Sequence, residues 1–117
     1  MERPRPAELL AQPGTPVFGT GDGNLANYLW DGTEVRVIDF EYSGRSDRAF
    51  ELAEVVEHIS VWRDGPAGMA AVLERLDLTA EEAGRLTECR RLLVLYWLLR
   101  TRGDTQADQA KRMSALL

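Results

Sequence analysis

Asp31-Gly32 stands between two short apolar runs, Tyr28-Leu29-Trp30 and Thr33-Glu34-Val35-Arg36-Val37-Ile38. A type I′ hairpin turn needs positive φ at both central residues, and aspartate followed by glycine tolerates it. A two-residue turn sets Trp30 opposite Thr33, Tyr28 opposite Val35 and Asn27 opposite Arg36. A hairpin also brings the segment before it beside the segment after it. Upstream is the run 17–27, Val-Phe-Gly-Thr-Gly-Asp-Gly-Asn-Leu-Ala-Asn. Its glycines mark a loop whose backbone takes unusual dihedrals or is closely approached by another segment. Downstream is Asp39. The turn therefore predicts that Asp39 emerges beside the loop bearing Asp22 and Asn27.

Beyond residue 45 the pattern changes to helical spacing. Ser46-Asp47 caps a helix expected to run to about Ser60, with Phe50, Ala53, Val56 and Ile59 along its apolar stripe. A short helix is expected from Gly65-Pro66 to about Leu76, with Met69, Leu73 and Leu76 on one face. Thr79-Ala80-Glu81-Glu82 is a capping box, and the helix it opens reaches about Thr101. Residues 92–99 are apolar on every side, which predicts the central buried element. Gly103 ends that helix, and Asp104 caps a last one with Ala107, Ala110, Met113 and Leu117 inward. Residues 1–16 hold four of the five prolines and read as a lead-in segment with one or two helical turns. The expected fold is thus one α+β domain, mostly α, over residues 17–117, with the loop and hairpin in 17–41 and helices in 46–117.

Composition narrows the partners. The chain has 117 residues, 44% of them hydrophobic and 28% charged, the balance of a globular domain. A net charge of -5 argues against nucleic acid, whose phosphates demand a basic face. Cys89 is the single cysteine, which excludes an internal disulfide and a multi-cysteine zinc site. No apolar core comes after the N-terminal Met-Glu-Arg-Pro-Arg-Pro, so no signal peptide is expected. The apolar stretch 92–99 is far shorter than the ~20 residues that span a bilayer, so no membrane partner is expected. A cytoplasmic location is the expectation.

Two carboxylates and an amide oxygen, from Asp22, Asp39 and Asn27, form the hard-oxygen set that magnesium accepts around a nucleotide. Such a set also leaves one carboxylate to accept a proton from an attacking hydroxyl. Turn preference alone accounts poorly for this composite spacing. Thr20-Gly21-Asp22-Gly23-Asn24-Leu25-Ala26-Asn27 resembles the His-Gly-Asp-x-x-x-x-Asn catalytic loop of aminoglycoside phosphotransferases and related small-molecule kinases, choline kinase among them. Val37-Ile38-Asp39-Phe40-Glu41 is similar to their Ile-Asp-Trp/Phe-Glu metal-binding segment. Gly44-Arg45-Ser46-Asp47, with Ala49-Phe50-Glu51-Leu52-Ala53, is similar to their Gly-Asp-Pro-x-x-Asp-Leu-Ala helix start.

The resemblance implies a kinase-like C-lobe, with the hairpin packed on a helical bundle. It implies ATP as phosphoryl donor, Mg2+ as cofactor, and a small, cationic hydroxyl compound as acceptor. Asp22 matches the catalytic aspartate, Asn27 and Asp39 the nucleotide- and magnesium-holding residues, and Glu41 is a candidate acceptor contact. Thr20 stands where the motif has histidine, and Asn24 where such loops often carry another. Kinases of this type grip ATP with an N-lobe that includes a lysine. Only sixteen residues precede Val17, and the one lysine is Lys111, so that lobe is expected to be missing and the chain alone inactive. The alternative is a non-catalytic remnant or binding module, self-associating or completed by a partner that supplies the N-lobe.

Blander roles account for other residues. Asp31 serves the turn and Asp47 the cap. The resemblance allows Glu51, Glu54 and Glu57 to line a cationic-substrate site, but the stronger reading is a solvated helix face, with Arg48 as helical neighbour to Glu51. His58 and Cys89 read as structural. Tyr28, Trp30, Tyr96 and Trp97 are expected in hairpin and core packing.

Overall fold

The computed structural model describes residues 5–12, 14–64 and 67–116. A short helix α1 (Pro6–Ala11) leads into strand β1 (Pro16–Gly19). The next loop contains a 3-10 turn (Leu25–Asn27) and feeds the hairpin strands β2 (Tyr28–Trp30) and β3 (Val35–Val37). Strand β4 (Gly44–Asp47) returns to pair antiparallel with β1, Pro16 opposite Asp47 and Gly19 opposite Gly44. Five helices complete the chain: α2 (Arg48–Glu57), α3 (Ile59–Asp64), α4 (Ala67–Glu74), α5 (Ala80–Arg100) and α6 (Asp104–Leu116). The fold is α+β and mostly α, with two separate two-stranded sheets. No helix among the described residues is long and apolar enough to cross a membrane.

The core lies where α2 crosses α5. Ala49 and Ala53 on α2 meet Leu86, Cys89 and Leu93 on α5, with Leu10, Phe50, Leu52, Leu73 and Leu78 packed around them. Small residues on α2 let the two backbones come close, so α5 supplies the bulk. Asp47 caps α2 by accepting from the Phe50 N–H at 2.9 Å. The same carboxylate takes a bidentate bond from Arg85 of α5, at 3.1 and 2.8 Å. Arg85 also donates to the carbonyl of Gln12 at 2.8 Å, so one guanidinium ties the segment after α1, the cap of α2 and α5 together. The Thr79 capping box forms as read, and α5 ends at Thr101. Cys89 is buried, and that burial pushes its thiol up to about 11, the behaviour of an inert core residue.

Several expectations need correcting. The hairpin register is Tyr28↔Val37, Leu29↔Arg36 and Trp30↔Val35, slipped from that of a two-residue turn. The cause is the Asp31 carboxylate, which accepts from the N–H groups of Thr33 and Glu34 at 2.8 and 2.9 Å. Those bonds fold 31–34 into a wider loop, closed by Asp31 N–H to the Glu34 carbonyl at 3.2 Å. Residues 16–19, the first of them in the lead-in and the rest in the expected loop, form β1, because their partner β4 lies far along the chain and gives no local signal. The helix from Asp47 breaks at His58, whose ψ of 137° is extended, and resumes as α3. Its buried stripe is Ala49, Ala53, Val56 and Glu57, with Phe50 only half-buried. Gly65 and Pro66, the expected start of the next helix, lie outside the described residues; α4 begins at Ala67.

The apolar stretch 92–99 is buried on one side only. Leu93 and Val94 are inside, while Leu92, Leu95, Tyr96 and Leu99 are exposed. Trp30 is also exposed, so it is not packed as expected. On α6 the inward residue is Gln109, and Ala107 and Ala110 face out. The reason is electrostatic. Glu57 is fully buried, not solvated, and Arg90 of α5 and Arg112 of α6 both pair with it. A buried carboxylate demands such partners, and meeting that demand rotates α6 to bring Arg112 inward. Arg48 likewise reaches across to Glu82 of α5 at 3.3 Å rather than along its own helix to Glu51.

Candidate active site

The loop after β1 is shaped by close approach to α2. A Cβ on Gly23 would collide with the backbone of Glu54 and Val55, so only glycine lets the loop sit on the helix there. Gly21 has φ of 66°, and its N–H donates to Glu51 Oε2 at 3.4 Å. Asp22, between these glycines, points its carboxylate into a small network. Oδ1 accepts from the Asn24 N–H and Oδ2 from Asn27 Nδ2, both at 3.0 Å. Asn24 in turn caps the 3-10 turn, its Oδ1 accepting from the Ala26 N–H at 3.0 Å. The Thr20 hydroxyl donates to the Asp22 main-chain carbonyl at 3.1 Å, so it orders the loop without touching the carboxylate.

Asp22 and Asn27 are therefore brought together as the sequence implied. Asp39 arrives through the hairpin: the Ile38 N–H donates to the Asn27 carbonyl at 2.9 Å, and Asp39 is the next residue. Its φ is 67°, and it is the one non-glycine residue with positive φ among the described residues. Aspartate tolerates this region better than most residues, at some cost in backbone energy. Glu41 stands apart, exposed in the turn after Asp39.

Beside Asp22 opens a cleft of about 570 Å³, walled by Tyr42, Glu54, His58, Tyr96 and Trp97. Glu41 is not among its lining residues. Glu54 is half-buried, and burial, reinforced by repulsion from Glu51 and Asp22, pushes its carboxyl up to about 7. His58 lies edge-on to Trp97, with ring centroids 5.0 Å apart. Glu51, Glu54 and His58 thus face the loop and its cleft, not open solvent. Sequence reading favoured a solvated face for Glu51 and Glu54 over a substrate site and left His58 out, although the spacing at 51, 54 and 58 places all three along one side of a helix.

Chemically, the site offers an oriented carboxylate at the edge of a cleft that is acidic and aromatic. Asn27 uses its amide N–H on Asp22, which leaves its oxygen as the atom able to act as a ligand. No group of three or more His, Cys, Asp or Glu able to hold a metal occurs among the described residues. A metal here would need further oxygens from a ligand.

A model of the phosphotransferase enzyme family matches residues 2–93, from the lead-in through the loop, the hairpin and α2 into α5. No curated protein matches the chain, and no solved structure does.

Proposed function

The chain belongs to the phosphotransferase enzyme family, and from that membership we propose that it is the acceptor- and metal-binding C-lobe of an ATP-dependent small-molecule kinase. The reaction is transfer of the γ-phosphoryl group of ATP to a hydroxyl of a small, cationic compound such as an aminoglycoside, in the cytoplasm. The observation that carries this reading is the Asp22–Asn27 pair at the mouth of a cleft walled by Glu54 and aromatic rings.

Asp22 is the base. One hydrogen bond on each carboxylate oxygen fixes its plane, and it takes the acceptor's hydroxyl proton as the new O–P bond forms and the bond to the leaving ADP breaks. Asn27 Oδ1 and the Asp39 carboxylate would hold magnesium, with nucleotide phosphates supplying the remaining oxygens. Bound there, magnesium would neutralise phosphate charge. Tyr42, Tyr96 and Trp97 give the cleft an aromatic wall, and Glu54 offers a counter-charge to a cation above about pH 7. In this reading Glu54, not Glu41, meets the acceptor.

A second reading rests on the apolar side chains around the hairpin. Phe18 is 71% exposed and Trp30 66%, and the Phe18 and Phe40 rings lie 6.4 Å apart on the surface. Such a patch suits a binding module completed by a partner that supplies the nucleotide-gripping lobe, or one that self-associates.

Mn2+ is a paramagnetic stand-in for Mg2+ that reveals weak sites. Titrating the full chain with Mn2+ and ADP should broaden the NMR signals of Asn27 and Asp39 first, and Asp39→Ala should remove the effect. Broadening scattered over surface carboxylates, with these two residues unaffected, would overturn the kinase reading in favour of the binding module.

A further inference from the structure

His58 is the one histidine of the chain, and it caps the C-terminal end of α2. Its ring is held from two sides. Trp97 meets it edge-on at 76°, and its Nδ1 lies 2.8 Å from Ser60 Oγ and 3.2 Å from the Ser60 backbone nitrogen. A backbone N–H can only donate, so Nδ1 is the accepting nitrogen, bare of its own proton. In the neutral ring the proton must then sit on Nε2. That nitrogen faces Asp22 Oδ1 at 3.9 Å, within ion-pair distance, and only 12% of the His58 side chain and 24% of Asp22's are exposed.

We propose that His58 is a positioning residue for Asp22: its Nε2–H faces Oδ1 from beyond hydrogen-bond length and acts electrostatically on a carboxylate that the Asn24 N–H holds at Oδ1 and Asn27 at Oδ2. The inference rests on Asp22 acting as the base. Thr20, four residues before Asn24 in the loop, cannot do this work, because its hydroxyl is turned to the Asp22 main-chain carbonyl. The tautomer also sets a limit. With Nε2 already protonated in the neutral ring, His58 faces Asp22 as a donor and does not relay the proton that Asp22 takes. The other titratable groups on the walls of the same cleft are Glu54 of α2, Tyr42 of the turn before β4 and Tyr96 of α5.

A lone histidine gives one set of imidazole signals, so NMR titration of the full chain reads the pair directly. In Asp22→Asn the His58 midpoint should fall by about one pH unit, a tenfold change in its acid constant, because a nearby carboxylate favours the imidazolium. Glu54→Gln should move it less. An unchanged midpoint in Asp22→Asn overturns the proposal, since a ring that Asp22 does not engage would ignore the charge at position 22. A second measurement covers the case in which Asp22→Asn does not fold. The Asn27 side-chain amide signals should stay in place in His58→Gln, which keeps an N–H donor, and shift in His58→Ala. Equal shifts in both overturn the proposal. Mn2+ broadening at Asn27 and Asp39 with no His58 coupling refutes the positioning role alone, whereas coupling without broadening refutes the kinase reading beneath it.

Discussion

In the helical half, Glu57 is fully buried between Arg90 and Arg112, and Val94 and Ala53 are wholly enclosed. In the half that carries the hairpin, Trp30, Phe18 and Tyr42 are each about two-thirds exposed or more, and Asn27 is the one residue of the loop and hairpin that is both polar and buried. One half places charge inside and spends strong pairing to keep it there. The other places large apolar rings outside and keeps its polar contacts for the loop itself. A two-stranded hairpin is marginal by itself in water. The segments flanking this one are held through Asp47, Gly23 and the β1–β4 ladder, all of which lean on α2. The comparison separates a scaffold that sets stability from an appendage that carries the proposed site.

The strongest way to break that separation is at Glu57. Glu57→Gln leaves two half-buried arginines without their buried carboxylate and should cost about 3–5 kcal/mol in urea unfolding. The divided-roles view expects the loop signals of Asp22 and Asn27 to remain native-like in the folded fraction. If they move as much as those of α6, the halves are not separate.

Asp47 joins the halves and should show an intermediate effect. Asp47→Ala removes the α2 cap and the bidentate partner of Arg85, a loss of about 2 kcal/mol. The bond from Arg85 holds the Asp47 carboxyl below its ordinary value of 3.8, with smaller help from the Phe50 N–H. A depressed carboxylate stabilises above its unfolded value, and that gain is lost as pH falls through the lower folded one. Wild type should therefore lose stability more steeply than Asp47→Ala below about pH 4, as followed by circular dichroism.

Glu54 should show the smallest effect, with the opposite sign. Burial first, then Glu51 and Asp22, raise it from 4.5 to about 7, so its ionisation weighs against the folded state as pH rises through that value. Glu54→Gln should raise the melting temperature at pH 8 and leave it unchanged near pH 4. A gain that is equal at both values would remove charge from the explanation.

The elements that sequence made legible are those whose cause is local. The Thr79 box, the Asp47 cap and the loop's need for glycine are each written within a few residues. Asp22 and Asn27 belong here too, because five residues of tight loop force them together. What stayed hidden depends on partners far along the chain. β1 has meaning only with β4, and Glu57 reads as a surface glutamate until Arg90 and Arg112 arrive from two other helices. His58 escaped notice, and Glu54 was given to a solvated face, for the same reason: the wall facing them comes from α5. The register of the hairpin was missed differently. A side chain, Asp31, took over hydrogen bonds that a strand ladder would have used.

The left-handed backbone at Asp39 sets two kinds of selection against each other. For chain conformation alone, glycine is the more comfortable occupant of that position, by about 1 kcal/mol. A library of variants sorted only by thermal resistance would be free to drift toward glycine there, shedding the carboxylate without penalty. Under the proposed role of Asp39 at the metal, sorting for ligand capture would pull it back. If Asp39 holds the proposed metal, durability and usefulness part company at position 39, and a heat-hardened descendant of this chain would be at risk of losing the site there.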